Sequence, residues 1–271
     1  MKLSVFIILI LLQSLSLADS NPLFLVDTDW LQKHIKDRNL FILDVRDESD
    51  YKSGTLEGAI NLPVTRTYRS GEFSYLVREE SKMIKLIGDT GVSNNDLVLI
   101  VDDGSMKHAA RMFWIFEYLG HERVVLLDGG IEKWRAEKRR ISDKQIRTQS
   151  KNFISKRNDK RYANKKMVHW SIIDKNYFLV DSRPIKDYEK AHIKTAIHLP
   201  IAHYFKGGAK AKSLKNNKEL EAIFSPFKNA KKIITYCQKG RDSSLTYFMM
   251  RRAGFNVSHY DGSWPEWNSS K

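Results

Sequence analysis

The stretch "IITYCQKGRDSS", residues 233–244, holds the only cysteine of the 271-residue chain, Cys237. A thiolate is a nucleophile and a thiol is a poor one, so the chemistry open to this residue depends on what surrounds its sulfur. The apolar run "KKIITY" before it reads as a strand. The loop "CQKGRD" follows, and "SSLTYFMMRRAG" reads as a helix. Gly240 permits a tight backbone path, Asp242 can cap the helix through its carboxylate, and Gly254 fits just past the helix end. In so short a loop the amides of Gln238, Lys239, Gly240, Arg241 and Asp242 can converge on the sulfur. Those amides and the helix N-terminus supply positive potential, to which the Lys239 and Arg241 side chains add. The expectation is a thiol lowered from its free value of about 8.5, in a cradle that also holds a second anionic sulfur attached to the first. A filler cysteine belongs inside a strand or on the apolar stripe of a helix. This one stands at a junction among polar residues, which points to a functional thiol. The C-x5-R frame of a cysteine phosphatase does not fit, because Ser243 stands six places after Cys237 and the arginine comes at four.

The elements that must position this loop occur twice. "ILDVRDESDYKSGTLEGAINLPV" (42–64) aligns without gaps to "LVDSRPIKDYEKAHIKTAIHLPI" (179–201), with eight of 23 positions identical at an offset of 137. "LDGGIEKW" (127–134) similarly matches "YDGSWPEW" (260–267). Two copies of one unit follow, with domains expected at 22–142 and 167–271. Strands such as "LFILD", "DLVLIVD" and "RVVLLD" alternate with helices such as "HAARMFWIFEYLG". This order predicts an α/β fold with mainly parallel sheets covered by helices on both faces, and ligands beyond the carboxyl ends of the strands. Where copy two has Cys237, copy one reads "DDGSMKHAAR", with Asp102 or Asp103 at the junction. Copy one is expected to be catalytically silent and to form a wall of the cleft.

Composition limits the setting. Lys2, the run "LSVFIILILL" and the Ser16/Ala18 pair read as an export signal over residues 1–18. The run is about half of what a bilayer crossing requires, so no stable membrane insertion is expected after cleavage, and the mature chain is expected in the periplasm or secreted. A single cysteine allows no internal disulfide. The net charge of +14 invites a nucleic-acid reading. Residues 133–166 alone carry fourteen Lys/Arg against three Asp/Glu. With no periodicity and few large apolar residues, that excess reads as a solvated basic linker over 143–166, and no nucleic-acid partner is expected. His192 and His203 have no metal-ligand spacing, Ser243 and Ser244 only begin the helix, and neither metal nor organic cofactor is expected.

Together, "LDVRDESDY…GAINLP", "VDSRPIKDY…AIHLP", "AARMFWIFEYLGH…VVLLDGGIEKW" and "CQKGRDSS…GF…YDGSWPEW" resemble the tandem-domain rhodaneses, the thiosulfate and mercaptopyruvate sulfurtransferases. The resemblance covers nearly the whole mature chain. It implies that ionised Cys237 takes the outer sulfur of a small anionic donor such as thiosulfate. The resulting persulfide then passes that sulfur to cyanide, a thiol or a protein acceptor. It also implies that the 238–242 loop binds the donor. Arg183 could orient the donor or pair with Asp181 or Asp187, and Trp264 could wall the cleft or pack in the core. Lys239 matches the basic loop residue of thiosulfate enzymes, whereas mercaptopyruvate enzymes have a small residue there and a histidine at the place of Thr55. Asp187 departs from the family, standing where thiosulfate binders often carry an arginine, and would repel a dianion if it faced the cleft. The alternative is a non-catalytic persulfide carrier or docking module.

Overall fold

The computed structural model describes residues 24–206 and 213–269. The expected export signal and the expected domain start at residue 22 lie outside them. The first half contains β1 (Leu25–Val26), α1 (Thr28–His34), β2 (Leu40–Asp44), α2 (Glu48–Lys52), β3 (Ile60–Asn61), α3 (Glu80–Asp89), β4 (Leu97–Val101), α4 (Lys107–Tyr118), β5 (Val124–Leu127) and α5 (Gly130–Ala136). The second contains α6 (Lys165–Ile173), β6 (Tyr177–Asp181), α7 (Ile185–Lys190), β7 (Ile197–His198), α8 (Asn217–Phe224), β8 (Lys232–Tyr236), α9 (Arg241–Arg252), β9 (Val257–His259) and α10 (Ser263–Asn268). Among the described residues every pairing between these strands is parallel, in the orders β1-β5-β4-β2-β3 and β7-β6-β8-β9.

The residues shared by the two copies build the same bracket in each. Asp44, at the end of β2, accepts from the Arg46 amide at 3.0 Å and the Arg46 Nη2 at 2.6 Å. Asp181 does the same for Arg183, at 3.0 and 2.6 Å. Tyr51 donates its hydroxyl to the Ala59 carbonyl, and Tyr188 to that of Ala196. The repeat therefore preserves a turn at the end of a buried strand, where unpaired polar groups would be costly.

Between the sheets, α4 and α9 pack on each other, with Phe113 and Phe248 edge to face at 5.0 Å. From Ala109 to Glu117 every residue of α4 is buried, as expected of a helix apolar nearly all round. Glu117 is the charged residue in that stretch that reaches across to α9, accepting from the Tyr247 hydroxyl at 2.5 Å and the Arg251 Nη2 at 2.8 Å. One continuous apolar core thus joins residues of both halves, among them Val98, Phe113, Val180 and Leu245.

The basic segment 143–166 is largely exposed but is not a free, solvated tether. Phe153 is buried, the Lys151 amide donates to the Gly88 carbonyl, and the Asn158 amide to that of Tyr118. Tyr162 then bridges His259 in parallel, as Leu25 of β1 pairs with Leu126 of β5. The linker therefore supplies to the second sheet the edge that β1 supplies to the first, a register that its charge pattern does not reveal.

Candidate active site

Cys237 directly follows β8 and is buried, as a free thiol. Three amides favour its ionised form: Gly240 N–H donates to Sγ at 3.1 Å, and the Lys239 and Ser243 amides act in the same sense. The Ser243 hydroxyl also donates to Sγ at 3.1 Å. Gly240 turns the chain with φ of +78°, and a Cβ there would come within 2.7 Å of an Arg111 nitrogen, so both backbone and space call for glycine. The backbone of Cys237 is clamped by the "DGSW" turn: its N–H donates to Ser263 Oγ at 3.4 Å, and its carbonyl accepts from Trp264 N–H at 3.0 Å.

The predicted loop residues surround the sulfur in different ways. The Gln238, Lys239 and Arg241 side chains are exposed, while Gly240 is buried. Asp242 does not cap α9. Gly240 holds the N-cap position, and Asp242 lies in the first turn with its carboxylate 3.5 Å from Lys107 of the other half. The cause is the left-handed Gly240, which starts the helix two residues before the position a capping Asp242 requires. Arg183 takes its structural alternative. Its guanidinium is held by Asp181 and the Ala191 carbonyl and lies over the Trp264 ring at 4.3 Å. Trp264 packs in the same stack, half-buried. Asp187 is exposed on α7, and His192 is exposed, its ring against Tyr188.

The expectation of a lowered thiol is corrected. Burial pushes the Cys237 thiol up and the Asp242 carboxylate pushes it further. The Ser243 hydroxyl and the amides of Ser243 and Lys239 pull it down without reversing the balance. Alkylation of Cys237 by iodoacetamide is therefore expected to rise with pH through a midpoint above that of free cysteine. Asp242→Asn should move this midpoint down, because it removes the charge that, after burial, raises the thiol most, and leaves Lys107 unopposed. An unchanged midpoint in that variant would show that Asp242 does not act on the sulfur.

The first half offers Asp102 at the equivalent junction after β4. It accepts from the Gly104 amide at 2.8 Å and the Ala109 amide at 3.2 Å, and burial with Asp103 nearby pushes it up to about 6. The nest is preserved, but a carboxylate replaces the thiol.

Several site residues were not legible as such in the sequence. Arg111 of α4 forms a fully buried ion pair with Asp261, whose other oxygen accepts from the Val77 amide at 2.8 Å. The Tyr75 hydroxyl donates to the Gly262 carbonyl at 2.8 Å. These contacts seat the first half over the sulfur loop. Ser243, read as a mere helix start, lies with Oγ 2.9 Å from His259 Nε2. Burial drives the His259 imidazole down to about 3, with Asp261 and the Gly240 carbonyl opposing and Arg111 reinforcing the fall. The available signal was polarity: "VSHYD" puts a histidine in a strand whose counterpart, "VVLLD", is wholly apolar up to its aspartate.

A strand-borne thiol in an amide nest, repeated with an aspartate in a second parallel α/β unit, defines a tandem sulfurtransferase-type architecture. Residues 27–137 and 164–270 match the Rhodanese-like domain, and the chain belongs to that family. It is 28% identical over 275 residues to a protein from Mycolicibacterium smegmatis named as a thiosulfate sulfurtransferase, covering 90% of this chain and 94% of that one. It is 29% identical over 277 residues to the sulfur carrier protein TtuD of Thermus thermophilus, covering 92% and 95%. Its fold matches the 3-mercaptopyruvate sulfurtransferase SseA of Escherichia coli with a TM-score of 0.80 at 22% identity, over 89% of this chain and 99% of that one. It also matches EanB with a TM-score of 0.78 at 19% identity, over 90% and 67%.

Proposed function

We propose that the chain moves a sulfane sulfur from thiosulfate, or a related anionic donor, through a Cys237 persulfide to a thiophilic acceptor, outside the cytoplasm. The observation that carries this reading is the lone sulfur on the floor of a loop that aims N–H and O–H donors at it. The thiol first gives up its proton to solvent. The thiolate attacks the outer sulfur of thiosulfate, the S–S bond of the donor breaks with its electron pair on sulfite, and a cysteine persulfide anion remains. Cyanide or a thiolate then attacks the outer sulfur, and the Cys237 thiolate is regenerated. Lys239 and Arg241 sit exposed at the loop, where a dianion would meet them first. The mycobacterial relative favours thiosulfate as donor, and the basic residue at position 239 agrees with it. The test is a donor screen. Purified chain incubated with thiosulfate or with 3-mercaptopyruvate should gain the mass of one sulfur atom on Cys237, more readily with thiosulfate. Loading by neither donor would defeat the reading.

A carrier role is the second reading, favoured by the similarity to a sulfur carrier protein. An enzyme releases sulfite repeatedly when cyanide or a dithiol is supplied. A carrier loads once and waits for a protein acceptor.

A further inference from the structure

Cys237, Ser243 and His259 form a row of buried side chains. The Ser243 hydroxyl sits 3.1 Å from Sγ on one side and 2.9 Å from His259 Nε2 on the other. The first half supplies a comparison within the same chain. Ala109 stands three residues after the N-cap of α4, as Ser243 does after that of α9. Leu126 pairs with the edge strand β1, as His259 pairs with Tyr162. Alanine and leucine thus accompany Asp102, whereas a hydroxyl and an imidazole accompany the sulfur.

The hydrogen bonds can run in one of two directions, and burial selects between them. Among the described residues His259 Nδ1 reaches no partner in hydrogen-bond geometry; the Gly240 carbonyl near the ring accepts from the Ser244 hydroxyl instead. An unpaired buried N–H is rarer than a bare acceptor, so the ring proton belongs on Nε2, where Ser243 Oγ can accept it. The serine proton is then free to point at Sγ.

We propose that Ser243 and His259 are positioning residues for sulfur transfer. Neutral His259 donates Nε2–H to Ser243 Oγ, which turns the serine hydroxyl proton onto Sγ and favours the thiolate. The thiolate is both the attacking species and the group released when the acceptor removes the sulfane sulfur, so the purpose of the pair rests on the function proposed above. Its geometry does not. The charged and titratable groups around the row are Asp242, with Lys107 3.5 Å from its carboxylate, and Tyr68 and Tyr75 on the side of the sulfur, and Asp261 with Arg111 beside the imidazole.

The test is a pH titration of Cys237 in the purified chain, followed by thiolate ultraviolet absorbance and by the alkylation rate, neither of which needs a sulfur donor. Ser243→Ala should raise the midpoint, so that the thiolate fraction at a fixed pH below it falls about tenfold, the scale of one hydrogen bond to a charged group. His259→Leu should shift it the same way, and His259→Gln, whose amide can still donate, should recover most of the loss. Parent-like midpoints in Ser243→Ala and His259→Leu would overturn the proposal. Should His259→Leu fail to fold, Ser243→Ala decides alone, since alanine already fills that place in the first half. A shifted midpoint in a chain that no donor loads defeats the sulfur-transfer reading and leaves the pair's effect on ionisation standing. Turnover with an unshifted midpoint defeats the pair alone.

Discussion

Cys237→Ser is expected to abolish both sulfite release from thiosulfate and the gain of one sulfur atom, with the fold unchanged. The substitution exchanges one atom for a smaller one that can still accept the Gly240 N–H now 3.1 Å from the sulfur, so the loop keeps its geometry. It removes the nucleophile, however, and a serine hydroxyl in this nest has no general base to activate it: the nearest imidazole reaches the site through Ser243 and is held far below its ordinary value. In covalent enzymes, loss of the nucleophile costs on the order of 10⁶ in rate. The first half cannot compensate, because Asp102 occupies its nest. The measurement is sulfite release with cyanide as acceptor, paired with intact mass and circular dichroism. Full sulfite release by the serine variant would show that the sulfur is not the reacting group.

Arg111→Met is expected to destabilise the chain by about 3–5 kcal/mol, the usual result of removing one partner from a buried ion pair. Both side chains are essentially inaccessible, at 0% and 1% exposure. Without the guanidinium, Asp261 keeps its bond from the Val77 amide but is left as a buried anion without its cation. Arg111 also donates to the Tyr75 carbonyl and lies over the rings of Trp114 and Tyr68, at 4.8 and 5.7 Å, so packing is lost as well. Adding Asp261→Asn to Arg111→Met should recover part of the loss, because no charge then remains to be paired and the carboxamide oxygen can still accept from Val77. Urea unfolding of both variants checks this. A single variant within about 1 kcal/mol of the parent would mean that the pair does not hold the halves together. Sulfur loading should weaken in parallel, since the same arginine borders Gly240.

Much of this protein is local in origin and therefore open to sequence reading. The Asp–x–Arg bracket, the tyrosine seven residues after its aspartate and the small–apolar "AI" that follows each satisfy backbone groups within one turn of chain, so their spacing survives in both copies. The strand–loop–helix around Cys237 is legible for the same reason. So is the nest of the first half, where an aspartate stands in the place of the thiol. What the sequence left open depends on groups far apart along the chain. The thiol is pushed up rather than down because burial and Asp242 outweigh the Ser243 hydroxyl and the amides of Ser243 and Lys239, and burial is a property of the folded chain. Arg111 meets Asp261 across 150 residues, and Ser243 meets His259 from two different elements. Residue types and spacing marked the candidate reacting atom and the half that carries it. Only the packing of two domains on one shared core determined its dielectric surroundings and the hydrogen-bond partners that tune it, because desolvation and long-range contacts have no signature in local sequence.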